Sequence, residues 1–367
     1  MSAPRPKQSQ RKKRRGDAPP NEPRDASATP RSGTVALIGR PNVGKSTLLN
    51  AALEQPLSIV SPTPQTTRDA ILGVVHRGAA EIALLDTPGL HRPRSELGRV
   101  MNQTAREAAR SADVVVFITE MPAPTGRAGR EHAPPLRPHP GDLTLLADIA
   151  EGTPTILVIN KIDRSHDKGR VLPLIEAFSK VRPFAAVVPI SALREDGVAH
   201  VLDEIAALCP EGAHRYAPDD LTDRPLRFFA AEYVREQILR ATEAEVPHAV
   251  AVTIDRFVEP VAEGEGERAR GAVHIDATIC VERQGQKRIL IGTAGEMLKS
   301  IGTSARMRIQ ELTGRKVNLK LWVRVSPAWR QSRAQLEELG YKSPRAAGEA
   351  VALIEAPADE IDREGAP

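Results

Sequence analysis

Short aliphatic runs alternate with amphipathic stretches over the first two thirds of the chain. Runs at 35–38, 81–85, 114–118, 155–159 and 186–190 are apolar and end at polar or turn-forming residues, the pattern of strands buried on both faces. Between them, 45–53, 100–111, 172–180 and 198–208 carry a helical period. Strand and helix in alternation predict an α/β fold with a mainly parallel, doubly wound sheet and ligands at the C-terminal strand ends. Residues 122–141 break the rhythm, because six prolines and mixed charge without an apolar period predict a solvated loop.

From about residue 221 the pattern changes. Pro225 suits the first turn of a helix capped by Thr222 or Asp223, with Phe228, Ala231, Val234 and Ile238 as its apolar stripe. Strand-like segments follow at 248–259 and 271–283, joined by an acidic, Gly-rich loop. Then come a short strand at 289–291, a Gly-bounded turn and a helix at 296–313. In the last strand Val317, Leu319, Leu321, Val323 and Val325 alternate with Asn318, Lys320, Trp322 and Arg324. The expected organisation is a basic disordered tail at 1–32, a first domain at 33–210, a linker at 211–224, a second domain at 225–340 and a disordered tail at 341–367. The first tail is too poor in aliphatic residues to offset the entropy of ordering it, and the second is acidic and rich in Ala and Pro.

The 367 residues suffice for two cores. Cys209 and Cys280 lack disulfide-framework or metal-ligand spacing, which points to a reducing compartment, the cytoplasm. No apolar run approaches the ~18 residues that a membrane-spanning helix needs. The net charge of +4 is unevenly spread: residues 1–32 hold nine Lys/Arg against three Asp/Glu, so the rest sums to −2. Any nucleic-acid contact by the folded part therefore needs a local patch. Residues 284–333 supply one, with eleven Lys/Arg against two acidic residues, whereas 225–283 hold eleven acidic against seven basic.

Candidate chemistry begins at Gly39-Arg40-Pro41-Asn42-Val43-Gly44-Lys45-Ser46, a GxxxxGK[ST] match directly after an apolar run and before a helical pattern. In that context residues Asn42, Val43, Gly44, Lys45, Ser46 and Thr47 surround the phosphates of a nucleotide. Backbone N–H groups at the helix start meet phosphate oxygens, Lys45 reaches the β- and γ-phosphates, and the Ser46 hydroxyl meets Mg²⁺. Asp86-Thr87-Pro88-Gly89 closes the second run, placing Asp86 to hold Mg²⁺ through water and the Gly89 N–H to meet the γ-phosphate. Asn160-Lys161-Ile162-Asp163 closes the fourth. The Asp163 carboxylate accepts from guanine N1–H and N2–H₂, which adenine does not offer, and the backbone of Ser191-Ala192-Leu193 approaches guanine O6. Alone, the first match has a bland reading as a chance Gly-rich turn and the NKxD match as a strand-ending turn. Their ordered occurrence favours GTP over ATP.

GRPNVGKSTLLN at 39–50, SPTPQTTRD at 61–69, DTPGLH at 86–91 and NKID at 160–163 resemble translation-factor-related GTPases and, among them, the Era family. The resemblance implies a P-loop GTPase domain that uses GTP/GDP and Mg²⁺. It makes Thr67 the switch threonine, a metal ligand beside Ser46 and Asp86, with Thr66 as second choice, and Lys45, Thr67, Asp86 and Gly89 the catalytic set. Leu90 stands where Ras-like enzymes place a water-orienting Gln, so unassisted hydrolysis should be slow. In related enzymes an Asn at the place of Asn42 helps to hold a K⁺; the alternative is that Asn42 only shapes the loop.

Gly292-Thr293-Ala294-Gly295 has the form of a KH-domain GxxG loop and lies in the basic segment. Residues 221–239 and 301–325 are closely similar to the C-terminal domain of the same family, a prokaryotic-type α+β KH domain ordered helix, strand, strand, helix, helix, strand. The resemblance implies RNA contacts at Ile291, Gly292, Thr293, Ala294, Gly295, Lys299 and Arg306, with Ile291 equally suited to the core. The implied partners are the 3′ end of small-subunit ribosomal RNA and the 30S precursor, with peripheral inner-membrane contact as a subsidiary one and the chain monomeric. Three features depart from the family pattern: the GxxG loop lacks a basic residue, the Pro-rich loop is long, and the basic tail is extra.

The expected function is thus a GTP-hydrolysing switch in small-subunit assembly. An RNA chaperone with little GTPase activity is disfavoured by the intact Lys45, Ser46, Asp86 and Asp163. A membrane-peripheral signalling GTPase is disfavoured because residues 1–32 form no amphipathic basic helix.

Overall fold

Five strands, β1 (Arg31–Ile38), β3 (Ala80–Asp86), β4 (Val114–Glu120), β5 (Thr155–Asn160) and β6 (Ala186–Pro189), run parallel, and β2 (Ile71–Arg77) lies antiparallel on the β3 edge. The sheet order is β2-β3-β1-β4-β5-β6. This computed structural model describes residues 29–341 except 62, 64–65, 91–92, 123–135, 166–167 and 261–270, so both tails, most of the Pro-rich stretch and most of the acidic loop lie outside the described residues.

Alternation along β1 divides the core between the two sheet faces. Val35 and Leu37 join Leu48 and Leu49 of α1 (Lys45–Leu53) and Val201 and Ile205 of α5 (Val198–Leu208). Ala36 and Ile38 join Ala105 of α2 (Glu96–Ser111), Leu145 of α3 (Pro140–Ala147) and Phe178 of α4 (Val171–Ser179). A strand covered by helices on both sides must be apolar throughout, which is why these runs stand out in the sequence.

The structure corrects several expectations. β1 starts at Arg31, inside the segment assigned to the tail, and the Arg31 guanidinium donates to the Ala207 and Cys209 carbonyls. β2 was not anticipated, since its strand character comes from its antiparallel pairing with β3. α2 begins at Glu96 rather than near residue 100, because the Ser95 hydroxyl accepts from the Gly98 N–H and caps it. α3 starts at Pro140, inside the stretch expected to be loop.

In the second half, α6 (Leu226–Ala241) precedes the antiparallel pair β7 (Ala251–Val258) and β8 (Ala272–Val281). After α7 (Gln284–Ile291) and α8 (Glu296–Thr313), β9 (Lys316–Val325) returns parallel to β8. The N-cap of α6 is Pro225 itself; the Thr222 hydroxyl accepts instead from the Arg224 N–H. Residues 289–291 are the last turn of α7, not a strand. The Gln286 side chain accepts from the Glu282 and Arg283 N–H groups and fixes the start of that helix, and a three-residue aliphatic run carries no period to reveal it. A further helix, α9 (Arg333–Glu338), follows β9 unforeseen.

Segment 211–221 lies along the first sheet. Glu211 bridges to Arg31, the Leu221 carbonyl accepts from the Val74 N–H at 2.9 Å, and Tyr216 packs on Leu72, Val74 and Ala83. One hydrophobic cluster continues from the first sheet through Phe229, Tyr233 and Val234 of α6 to β7 and β8.

Candidate nucleotide and nucleic-acid sites

The first site gathers at the C-terminal rim of the larger sheet. Gly44 caps α1 at φ 104, a left-handed conformation, and a Cβ there would stand 2.2 Å from the Asn160 Nδ2. The start of α1 carries no side-chain cap and no acidic residue in its first turn, which leaves its N–H groups and dipole open to an anion. Lys45 is buried, and its Nζ donates to the Gly39 and Arg40 carbonyls at 3.1 and 3.0 Å. Burial lowers its pKa to about 8, although Asp86 pulls the other way.

Asp86 ends β3 with its side chain wholly buried. Its Oδ2 accepts from Ser46 Oγ at 2.6 Å, Ser58 Oγ at 2.8 Å and Thr67 Oγ1 at 3.2 Å, and Ser46 Oγ lies 2.8 Å from Thr67 Oγ1. The second oxygen, Oδ1, is buried and has no hydrogen-bond partner. Burial pushes the carboxyl up, against the three hydroxyls and Lys45. Three hydroxyls and a carboxylate with one oxygen unspent are the hard-oxygen set that Mg²⁺ takes, so the residues fit the metal expected there. Ser58 had no signal in the sequence. It is held by Asn50 of α1, which accepts from its N–H and donates to its carbonyl.

Gly89 lies against the P-loop, where a Cβ would come within 2.7 Å of the Pro41 Cα. Leu90 is buried in the cluster of Ile38, Phe117 and Ala105, so its side chain belongs to the core. Thr66, the second choice for switch threonine, gives its carbonyl to Arg235 of α6.

Across the rim, Asn160 joins three segments. Its Nδ2 donates to the Val43 carbonyl at 2.8 Å, and its Oδ1 accepts from the N–H groups of Lys161 and Ala192 at 2.8 and 3.0 Å. Lys161 adopts φ 64, and its ammonium meets the Asn42 carbonyl and Glu120. Asp163 accepts from Ser191 Oγ at 2.7 Å. The Ser191 N–H donates to the Asp196 carbonyl, so of the three residues expected near guanine O6 the first two have engaged amides, while Leu193 is exposed at the rim. Asn42, Gly44, Lys45, Ser46, Thr47, Thr67, Gly89 and Asp163 line one cavity of about 520 Å³. Asn160→Ala would strand two N–H groups and a carbonyl. It should cost about 2–4 kcal/mol of stability, read by chemical denaturation, and weaken nucleotide binding.

The second site lies between α7 and α8. Gly292 and Gly295 adopt φ +71 and +81, and a Cβ on Gly292 would meet the Met297 Cβ at 2.7 Å, so the turn requires glycine. Thr293 and Ala294 are exposed, Ile291 is half-buried, and Lys299 and Arg306 are exposed on α8. Gly295, Lys299 and Arg306 line a shallow groove with Leu319 and Leu321 of β9.

Between the sites runs a set of contacts that sequence reasoning missed. The Arg68 guanidinium is buried in the second half, donating to the Val250 carbonyl at 2.5 Å and the Pro247 carbonyl at 3.2 Å. It lies 5.8 and 6.0 Å from the stacked rings of Trp329 and Tyr341. Burial holds its pKa below the usual arginine value. Leu97 and Met101 of α2 pack against Trp329, Leu336 and Leu339.

Comparison with known proteins agrees with this geometry. Residues 34–161 match the family described as 50S ribosome-binding GTPase, and 245–330 the KH domain family. The chain is 42% identical over 311 residues to GTPase Era of Lactobacillus delbrueckii subsp. bulgaricus, covering 85% of this chain and 96% of that one. It is 43% identical over 313 residues to GTPase Era of Geobacter metallireducens, covering 85% and 98%. A crystal structure of Era in complex with MgGDPNP and nucleotides 1506–1542 of 16S ribosomal RNA matches with a TM-score of 0.76 at 37% identity, covering 85% of this chain and 99% of that one. An Aquifex aeolicus Era variant bound to GDP and aluminium fluoride matches with a TM-score of 0.75 at 38% identity, with the same coverage. With a GxxxxGKS loop at a helix start, an NKID segment across the same rim and a GxxG turn on one chain, and these likenesses along most of its length, the protein belongs to the Era family of GTPases.

Proposed function

We propose that the chain is a GTP-driven switch in assembly of the 30S subunit, holding the 3′ end of small-subunit ribosomal RNA at its GxxG loop in the GTP state. One observation carries the coupling: in Thr66-Thr67-Arg68, the Thr67 hydroxyl sits with Ser46 and Asp86 while the neighbours on either side are gripped by the second half. Whatever reorders Thr67 must pull on both.

Ser46, Thr67 and Asp86 would hold Mg²⁺, which when bound neutralises charge on the β- and γ-phosphates. Lys45 and the α1 N–H groups position those phosphates, Gly89 contacts the γ-phosphate, and Asp163 reads guanine. Because Leu90 is committed to the core, no side chain at that place orients water, and unassisted turnover is slow. Asn42, on the cavity wall, is the residue suited to hold a K⁺ that adds positive charge there. In the second half, Gly292, Thr293, Ala294 and Gly295 give a phosphate backbone close access, and Lys299 and Arg306 supply charge beside Ile291. The related Era structure with MgGDPNP and 16S ribosomal RNA supports this reading. Among the described residues no helix is long and apolar enough to cross a membrane. The proposed setting is the cytoplasm, with the protein monomeric.

Arg68→Ala tests the coupling. RNA affinity measured with a non-hydrolysable GTP analogue and with GDP should differ in the parent and become nearly equal in the variant, while GTP affinity stays within a few-fold. An undiminished ratio would show that Arg68 does not transmit nucleotide state.

A further inference from the structure

We propose that His76, Glu81 and His214 bind one divalent transition-metal ion, zinc by preference, which clamps segment 211–221 to the β2–β3 hairpin. His76 and Glu81 face each other as a directly opposed pair across the hairpin, and His214 reaches them from the segment leading to the second half. One donor atom from each residue lies within 4.8 Å of the others. Two donors about 2.1 Å from a common zinc stand roughly 3.4 Å apart at a tetrahedral angle and at most about 4.2 Å apart, so an adjustment of under about 1 Å closes the set. His76 Nε2 and Glu81 Oε2, at 3.8 Å, already lie within that range.

The electrostatics suit a cation. Glu81 is fully buried, and burial alone pushes its carboxyl up. The Arg215 and Tyr216 N–H groups and the Ser32 hydroxyl outweigh this and hold it below its ordinary value, so it stands as an anion. Hydrogen bonds of this kind around a ligating carboxylate orient it for metal. His214 Nε2 lies 3.0 Å from the Ala79 carbonyl. A carbonyl only accepts, so in the neutral ring Nε2 carries the proton and Nδ1 is the nitrogen left for a metal, the arrangement that fixes metal-bound imidazoles. Arg215 Nε, 3.9 Å from Glu81 Oε1, is the competing cation; its side chain is 45% exposed and can turn outward. Two imidazoles and one carboxylate select zinc over Mg²⁺, with water completing the tetrahedron, so this site and the nucleotide site take different metals.

The test uses full-length protein stripped with chelator, its nucleotide site filled with GDP and excess Mg²⁺, and titrated with Zn²⁺ against a chromophoric competitor. One zinc equivalent should bind saturably, and His76→Gln and His214→Gln should each weaken it by about tenfold or more. GDP affinity in each variant, expected at the parent value, reports its fold. Two measurements on the unmodified chain stand apart from the variants. Cobalt should give tetrahedral d–d bands without thiolate charge transfer, and zinc should slow amide exchange in 211–216. Absence of saturable zinc binding, unchanged affinity in both variants, a thiolate band implicating Cys209 or Cys280, or unaltered exchange would each overturn the assignment.

Discussion

An Asp163→Asn variant is expected to bind GTP at least about a hundredfold more weakly and to prefer XTP, because the site would then offer an amide where guanine needs a carboxylate. Asp163 follows the left-handed turn at Lys161 and is oriented by Ser191 Oγ at 2.7 Å. In the proposed role it would accept from guanine N1–H and N2–H₂, two charge-assisted bonds worth about 1.5–3 kcal/mol each. An Asn retains one acceptor and sets an N–H₂ against the guanine amino group, donor against donor. Xanthine carries a carbonyl at that carbon and pairs with the amide. Competition binding with both triphosphates decides the matter, and a variant that still prefers GTP would remove Asp163 from the role.

Replacing Gly292 and Gly295 together by Asp is expected to abolish RNA binding while GTP affinity stays within a few-fold. Two mechanisms act in that double variant. A side chain on Gly292 meets Met297, and both new carboxylates repel a phosphate backbone. Ala294→Asp separates them: Ala294 is exposed at φ +51, a region Asp tolerates better than most residues, so the change adds charge with little effect on packing. It should weaken RNA binding by about tenfold or more at low salt, and less as salt rises, in a filter-binding or fluorescence-anisotropy titration. RNA affinity unchanged in both variants would count against the loop as the contact.

How well each part could be read in advance depends on how local its physics is. The P-loop needs glycine, lysine and a hydroxyl residue at fixed spacing between a buried strand and a helix, so Gly44, Lys45 and Ser46 announce themselves. So do Asp86 and Asn160, because each ends a strand whose two covered faces make it apolar throughout, and Asp163, which follows three residues after the second of them. Residues 289–291 misled because three aliphatic residues fit a strand or a helix equally well. The deciding bonds come from Gln286 at the start of α7. β2 escaped because its identity lies in its pairing with β3.

What the sequence alone determined, then, is the alternation of buried parallel strands with helices in the first half, the change of pattern in the second, and the motifs proposed to meet a guanine nucleotide, all of which follow from periodicity and short-range spacing. Only the tertiary structure decided that Ser58 shares the Asp86 oxygen, that Leu90 is spent on the core, and that Arg68 leaves the nucleotide rim for the distant carbonyls of Pro247 and Val250 and the rings of Trp329 and Tyr341. The physical reason is that a hydroxyl, an aliphatic chain and a guanidinium each have many satisfactory partners. Which one they take is set by the closing of the whole chain, a long-range event that leaves no periodic mark in the residues themselves.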